Sequence, residues 1–228
     1  METEFYHVLN RGVDKRDIFM DDEDRFRFIH DLFEFNDTNP AGLIYYNFRK
    51  SPAQSLDVRR PEYQRDMLVN IHAFAMMPNH YHLLLSPITE NGISLFMKKL
   101  NGGYAKYFNE KYVRTGALFQ GKYKSVLIEN ERHFLYIPYY IHFNPLDLHA
   151  PEWRERRIVK KNEAIAFLDT YRWSSHMDYL GKKNFSSVTQ RGFLPDYFGG
   201  EKGYAHAFTK EIKNFTNELE GLGNLLLE

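Results

Sequence analysis

Apolar positions in this chain recur with a period of two in some stretches and near three and a half in others, and their order outlines a fold. Phe5-Tyr6-His7-Val8-Leu9-Asn10 alternates as a strand does, and Arg11-Gly12-Val13-Asp14 brings turn chemistry directly after it. The acids Asp21 to Asp24 stand where a helix start favours negative charge. Phe26, Phe28, Ile29, Leu32, Phe33 and Phe35 follow at near-helical spacing, which predicts a helix ending near Asn36. Residues 37–66 contain Pro40, Gly42, Pro52 and Pro61 and one strand-like piece, Leu43 to Phe48, so they read as an excursion from the core.

Two apolar runs come next, Leu68 to Met76 and Tyr81 to Leu85, joined at Pro78-Asn79. Proline then asparagine at the centre of a four-residue turn favours a tight connection, so the pair reads as a hairpin. With Pro78 and Asn79 as the loop, Met77 faces His80, Ala75 faces His82, and strict alternation puts His72 on the opposite face of the sheet. Ile93 to Leu100 begins a helix that continues through Tyr104, Tyr107 and Phe108, with Gly102-Gly103 as its weak point. A polar loop from Arg114 to Gly121 leads to a strand at Tyr123 to Ile128. Glu131 to Phe143 is again helical in spacing, with Pro138 inside it. The order strand, helix, strand, strand, helix, strand, helix predicts an α+β fold. Its core is a ferredoxin-like split βαβ arrangement with an antiparallel sheet, helices on one side and extra C-terminal helices. Beyond Asn144-Pro145 the chain turns polar and basic, and Tyr204 to Leu227 reads as a last helix that either packs on the core or hangs from it.

Composition narrows the function classes. The 228 residues contain no cysteine, which removes thiolate metal sites, cysteine nucleophiles and disulfides. Thirty basic residues balance thirty acidic ones, against a protein that coats nucleic acid through bulk charge. The acidic start Met1-Glu2-Thr3-Glu4 lacks the basic and apolar pattern of a secretory leader and no apolar run reaches membrane length, so a cytoplasmic location is expected. Charge is unevenly placed: Lys98, Lys99, Lys106, Lys111, Arg114, Lys122 and Lys124 face one acid, Glu110, with Tyr104, Tyr107, Phe108, Tyr112, Phe119 and Tyr123 among them. That stretch reads either as a track for unpaired bases or as a solvated helix face with its rings in the core.

His80-Tyr81-His82 carries the sharpest chemistry, because two histidines two apart on a strand present both imidazoles on one face and make a bidentate metal claw. Ten histidines in 228 residues produce about 0.4 such pairs by chance, so context must decide. Tyr140 and Asn144, four apart on the last core helix, project a phenol and an amide on one face. Asn144 also suits a helix cap, and Tyr139 points about 100° away from Tyr140. His142 is an alternative ligand, off the Tyr140 face.

These blocks together resemble a known family. Met77-Pro78-Asn79-His80-Tyr81-His82-Leu83-Leu84, Gly116 to Ser125, Tyr140-Ile141-His142-Phe143-Asn144-Pro145, Asn10-Arg11-Gly12 with Ile18-Phe19, and Tyr171 to Ser175 are similar to blocks of the IS200-type tyrosine transposases. The likeness is to the branch associated with repetitive extragenic palindromes. It runs from about residue 5 to 181, implying a nuclease domain over 1–181 with an insertion near 37–66 and a helical tail over 182–228. It implies His80 and His82 as metal ligands, Tyr140 as nucleophile and Asn144 as third ligand. Tyr81 stands where the family usually has an aliphatic residue. Magnesium or manganese is the expected ion, held by two imidazoles and an amide oxygen. The implied activity cleaves and rejoins single-stranded DNA near hairpins through a 5′-phosphotyrosine, by a monomer or a homodimer, with nucleoid association when DNA is bound. Arg11, Lys122 and Lys124 are candidate phosphate contacts. A non-catalytic single-strand nucleic-acid module and a metal-dependent phosphoesterase using water are the alternatives.

Overall fold

β1 (Tyr6–Arg11), β2 (Val69–Met77), β3 (His80–Pro87) and β4 (Lys124–Leu127) form one sheet in the order β2-β3-β1-β4, with every neighbouring pair antiparallel. Helix α1 (Asp22–Glu34) carries the chain from β1 to β2, and α2 (Gly92–Lys111) from β3 to β4. This is the α+β, ferredoxin-like arrangement expected from the hydrophobic pattern. The computed structural model describes residues 4–39, 65–192 and 197–215; the strand read at Leu43 to Phe48, most of the 37–66 excursion and the tail after 215 lie outside them. Among the described residues no helix is long and apolar enough to cross a membrane.

Local chemistry fixes the ends of these elements. The Asp21 carboxylate accepts a bond from Asp24 N at 2.9 Å and starts α1. Asn130 does the same for His133 N at 2.8 Å and starts α3 (Glu131–Phe143). Gly102-Gly103 does not break α2: a Cβ on Gly103 would stand 2.4 Å from the Phe35 ring, so this glycine lets the end of α1 pack closely on α2. Gly12 has a similar cause, since a Cβ there would meet the Arg16 carbonyl oxygen at 2.3 Å. Past it, Gly12 N donates to Asn79 O at 2.9 Å, and Ile18 N and Phe19 N donate to Pro78 O at 2.8 and 3.0 Å. The 12–19 loop therefore clasps the tip of the β2-β3 hairpin.

The helices do not all lie on one side of the sheet, as the pattern suggested. α1 and α2 cover the face that carries Val8, Tyr81, Leu83 and Leu85. The other face carries Ala73, Ala75 and Leu84. It is covered by α3, by the turns that follow, and by three further helices among the described residues, α4 (Lys161–Thr170), α5 (His176–Tyr179) and α6 (Gly200–Asn214). Two-sided burial is why β2 and β3 read as nearly continuous apolar runs instead of alternating ones. α6 packs Tyr204, Phe208 and Ile212 against Tyr139, Phe143 and Trp153. The Tyr204 hydroxyl bonds His142 Nδ1 at 2.7 Å and His176 Nδ1 at 3.0 Å, and His142 Nε2 bonds Ser175 Oγ at 2.7 Å. Ser175 in turn belongs to a strip, Tyr171 to Ser175, that pairs with the outer edge of β2: Met76 N donates to Trp173 O and Ser175 N to Phe74 O. The strip closes an edge that would otherwise expose unpaired backbone groups.

One expectation changes here, and one open reading narrows. A bulge between Ile71 and Ala73 breaks the alternation of β2, so His72 joins Ala73 on the face of His80, His82 and Leu84, where its Nε2 bonds Ser86 Oγ at 2.8 Å. It stays apart from the pair all the same, because Ser86 lies four residues, roughly 13 Å, along β3 from His82. The basic and aromatic stretch on α2 is also no open track. Tyr104 and Phe108 are core residues, Tyr107 and Tyr112 donate to the buried Asp24, Lys111 is bound to Asp21, Glu23 and Asp24, and Lys99 donates to the carbonyls of Asp37 and Asn39.

Buried neutral histidines make stability depend on pH. Burial pulls His7 down to about 3, with a push from His133, and His72 down to about 4 against a bond to Gln190. The unfolded chain takes up these protons from pH 6.5 downward while the folded chain does not, so stability falls across that window by about 1.4 kcal/mol per unit for each such histidine. Urea unfolding in EDTA should show a markedly lower midpoint at pH 5 than at pH 7.5, and equal midpoints would contradict neutral burial. Gly12→Ala should cost about 1–3 kcal/mol in the same assay at pH 7.5, through displacement of the Arg16 carbonyl.

Candidate active site

The register of β1 against β3 assembles the site. Arg11 pairs with His80, Leu9 with His82 and His7 with Leu84, and opposed residues of an antiparallel pair point to the same face. Arg11, His7, His80 and His82 therefore share the face over which α3 lies. His7 Nε2 and His82 Nδ1 are hydrogen-bonded at 2.9 Å, with rings stacked at 5.1 Å. The Tyr140 ring from α3 meets both edge-on, 5.7 Å from His7 and 5.9 Å from His82, and the His80 and His82 rings are 5.0 Å apart. The histidine pair and Tyr140 thus come together within one chain. Tyr139 does not join them; it packs on Phe143, Phe198 and Tyr204. His142 also turns away, into the buried bonds with Tyr204 and Ser175.

Each imidazole is tied at one nitrogen. His80 Nδ1 pairs with Asn79 Oδ1 at 2.5 Å, and the Asn79 amide is oriented by its Nδ2, which donates to Lys15 O at 3.1 Å. His82 Nδ1 is engaged by His7. The Nε2 atoms of His80 and His82 are both buried and have no hydrogen-bond partner among the described residues. Burial, with the charges of Arg11 and Arg154 and against that of Asp147, pulls His80 down to about 4. Burial, His7, His80 and the same two arginines hold His82 well below its usual value. Both rings are neutral near pH 7, with a lone pair for an electrophile and a second nitrogen fixed by a neighbour, as ligating histidines require.

The third donor is less bare. Asn144 Nδ2 donates to Tyr140 O at 2.7 Å, which caps α3 and leaves Oδ1 as the outward atom; that oxygen accepts from Arg154 Nη2 at 3.3 Å. Among the described residues no three of His, Cys, Asp and Glu gather at metal-binding distances, so a third protein ligand here would be of another kind, and an amide oxygen qualifies. By donor type, the orphaned Nε2 pair and an amide oxygen are a set that suits a divalent cation of mixed nitrogen and oxygen preference.

Four residues around the site escaped the sequence reading. His7 was hidden because its place follows only from β1-β3 pairing, although its parity with Arg11 on one strand was visible. Asp147, Trp153 and Arg154 come from two single-turn segments after α3, Asn144–Leu148 and Pro151–Glu155, which carry no periodic signal. Arg154 Nε and Nη2 grip Asp147 at 2.8 and 2.6 Å, Trp153 Nε1 donates to the same carboxylate at 2.7 Å, and the indole covers Tyr140 at 5.8 Å. Burial opposes the charge on Arg154, but its bonds to Asp147 and the Tyr140 hydroxyl hold it more firmly protonated than usual. Of the three residues read as phosphate contacts, the fold brings Arg11 to the site. Lys124, opposite Leu9 on the edge strand, is on the same face of the sheet but exposed, and Lys122 is exposed beside the Tyr123 ring.

Comparison with known proteins points the same way. Residues 48–144 match the family model described as "Transposase IS200 like", a span that holds His80, His82, Tyr140 and Asn144, so the resemblance to the IS200-type family is borne out over that span. A solved structure described as "Structure of the REP associates tyrosine transposase bound to a REP hairpin" is similar at a TM-score of 0.47 and 12% identity, covering 82% of this chain and 85% of that one. No curated protein matches the chain.

Proposed function

We propose that this chain, with its IS200-like transposase segment over residues 48–144, is a DNA transposase whose Tyr140 attacks a single-stranded phosphodiester beside a hairpin. The observation that carries the reading is the edge-on packing of Tyr140 against His7 and His82 in the same chain. A phenol and the two histidines meet there within one chain, and Asn144, one turn beyond Tyr140 at the end of α3, offers an amide oxygen.

Each group has a role in the step. Tyr140 Oη forms a bond to phosphorus as the bond to the 3′ oxygen breaks; the phenolic proton is lost and the departing 3′ oxygen gains one. The product is a 5′-phosphotyrosine, an ester of similar energy to the one broken, which a 3′ hydroxyl can reopen without an external energy source. His80 Nε2, His82 Nε2 and Asn144 Oδ1 would hold magnesium or manganese, which supplies Lewis acidity toward the phosphate and the leaving oxygen. Asn79 and His7 orient the two imidazoles from behind, and such outer partners typically change metal affinity by about 10–100-fold when removed.

Two measurements test this. Incubating the protein with a labelled single strand that contains a hairpin and its flanks, in manganese, should produce an adduct that survives denaturation and is absent in Tyr140→Phe. Cleavage without adduct, retained in Tyr140→Phe, would instead indicate attack by water, and binding without cleavage a non-catalytic module. Calorimetric titration with manganese should show a single site that is lost in His80→Ala and in His82→Ala and weakened about 10–100-fold in His7→Ala. Unchanged affinity in both ligand variants would reject the claw.

A further inference from the structure

Arg11 and Arg154 are the groups whose positive charge bears on both His80 and His82. Arg11 approaches from β1 beside His80, and its Nε is buried without a hydrogen-bond partner among the described residues. Arg154 approaches from the other side, from the turn after α3, and touches the Tyr140 hydroxyl, Asn144 Oδ1 and Asp147. The groups between them are neutral and almost wholly inside: His80 is 4%, His82 3%, Tyr140 1% and Asn144 0% exposed. Around these buried neutral groups, two guanidiniums therefore face one carboxylate, Asp147, in surroundings of low dielectric. An excess positive charge in such a place is costly until an anion joins it, and a phosphodiester carries the charge needed.

The bonds of Arg154 are unequal. Those to Asp147, at 2.6 and 2.8 Å, are charge-assisted and short, while that to Asn144 Oδ1, at 3.3 Å, is long and made to a neutral acceptor. The Asn144 bond is the one an incoming group displaces most easily. Its side chain is 26% exposed, so Arg154 stands between solvent and the buried Tyr140.

We propose that Arg154 is a further catalytic residue: held by Asp147, it exchanges its bond to Asn144 for a non-bridging oxygen of the scissile phosphate, with Arg11 gripping the other. The inference rests on the reading of Tyr140 as nucleophile. A guanidinium has five donors in a planar fork and can keep a carboxylate while binding a phosphate. The exchange returns Asn144 Oδ1 to the histidine side. As the Tyr140–phosphorus bond forms and the bond to the 3′ oxygen breaks, negative charge on the non-bridging oxygens grows, and two fixed cations stabilise that state more than the ground state.

Single-turnover adduct formation at saturating DNA tests the assignment, with affinity measured separately by fluorescence anisotropy. Arg154→Ala should slow the step about 100-fold or more with DNA affinity little changed, Arg154→Lys should recover part of the rate, and Asp147→Asn should fall between them. An oligonucleotide with an uncharged methylphosphonate at the scissile linkage supplies a readout that a structural role would not move: on it, wild type and Arg154→Lys should differ far less than on the natural linkage. Arg154→Ala and Arg154→Lys at the wild-type rate, with the adduct still lost in Tyr140→Phe, would overturn this inference alone. Equal slowing on both linkages would make Arg154 structural and overturn it too. No adduct from the wild type would overturn the nucleophile and this inference with it.

Discussion

The pairing of β1 with β3 is the constraint on which the remaining structure depends. Because side chains alternate, the register His7↔Leu84, Leu9↔His82, Arg11↔His80 sends one set of residues to the histidine face and Val8, Tyr81 and Leu83 to the α1 and α2 core. A slip of one residue would exchange the two sets. Val8 would then be driven among the imidazoles, and Arg11 would enter an apolar core. The loops enforce the register at the site end: Gly12 N binds Asn79 O, and Gln120 N binds Arg11 O, so the 12–19 and 114–121 loops both fasten to the last residues of β1 and the hairpin tip. This places the Asn10-Arg11-Gly12, Met77 to Leu84 and Gly116 to Ser125 blocks side by side, although they are far apart in sequence.

The site that results is electrostatically divided. Its inner part holds neutral donors, kept so by burial and by arginines on two sides; its outer part holds the Arg154-Asp147 pair, about a quarter exposed. Neutral imidazoles suit a cation, and guanidiniums suit an anion. Both can be accommodated within one pocket only because the carboxylate of Asp147 offsets one arginine and Asn79, His7 and Tyr140 O fix the polar atoms that face inward.

How much of this could be read in the chain differs by element. The four core strands and three core helices followed from periodicity, since each buries a face whose spacing is visible, and α3 begins and ends within the Glu131 to Phe143 span that its apolar positions marked. The hairpin followed from Pro78-Asn79, whose geometry is local. What local chemistry could not show was tertiary. The bulge at His72 depends on how β2 meets β3, and the second covered face depends on Tyr204, Phe208 and Ile212, over sixty residues beyond the helix they bury. His7 was legible as a strand residue and not as a neighbour of His82. Arg154 sits in a single-turn segment where neither period applies, so only its contacts mark it.

The second core does more than shelter the sheet, because it sets the position of α3. His142, two residues from Tyr140 and on a different side of the helix, is held by Tyr204 of α6 and Ser175 of the strip along β2, and His176 shares the same hydroxyl. Ser175 is bonded to Phe74 on β2, which pairs with Leu83 on β3, and the next residue, Ala75, pairs with His82. A continuous path of hydrogen bonds thus runs from α6 through α3 to the strand beside the histidines. All its polar atoms lie where a lost partner would leave an unsatisfied buried group, at about 1–3 kcal/mol each, so the path resists partial rearrangement. The distance from the Tyr140 ring to His82 is therefore fixed by residues distant in sequence from both, and the C-terminal helix is part of what makes the tyrosine and the histidines one site.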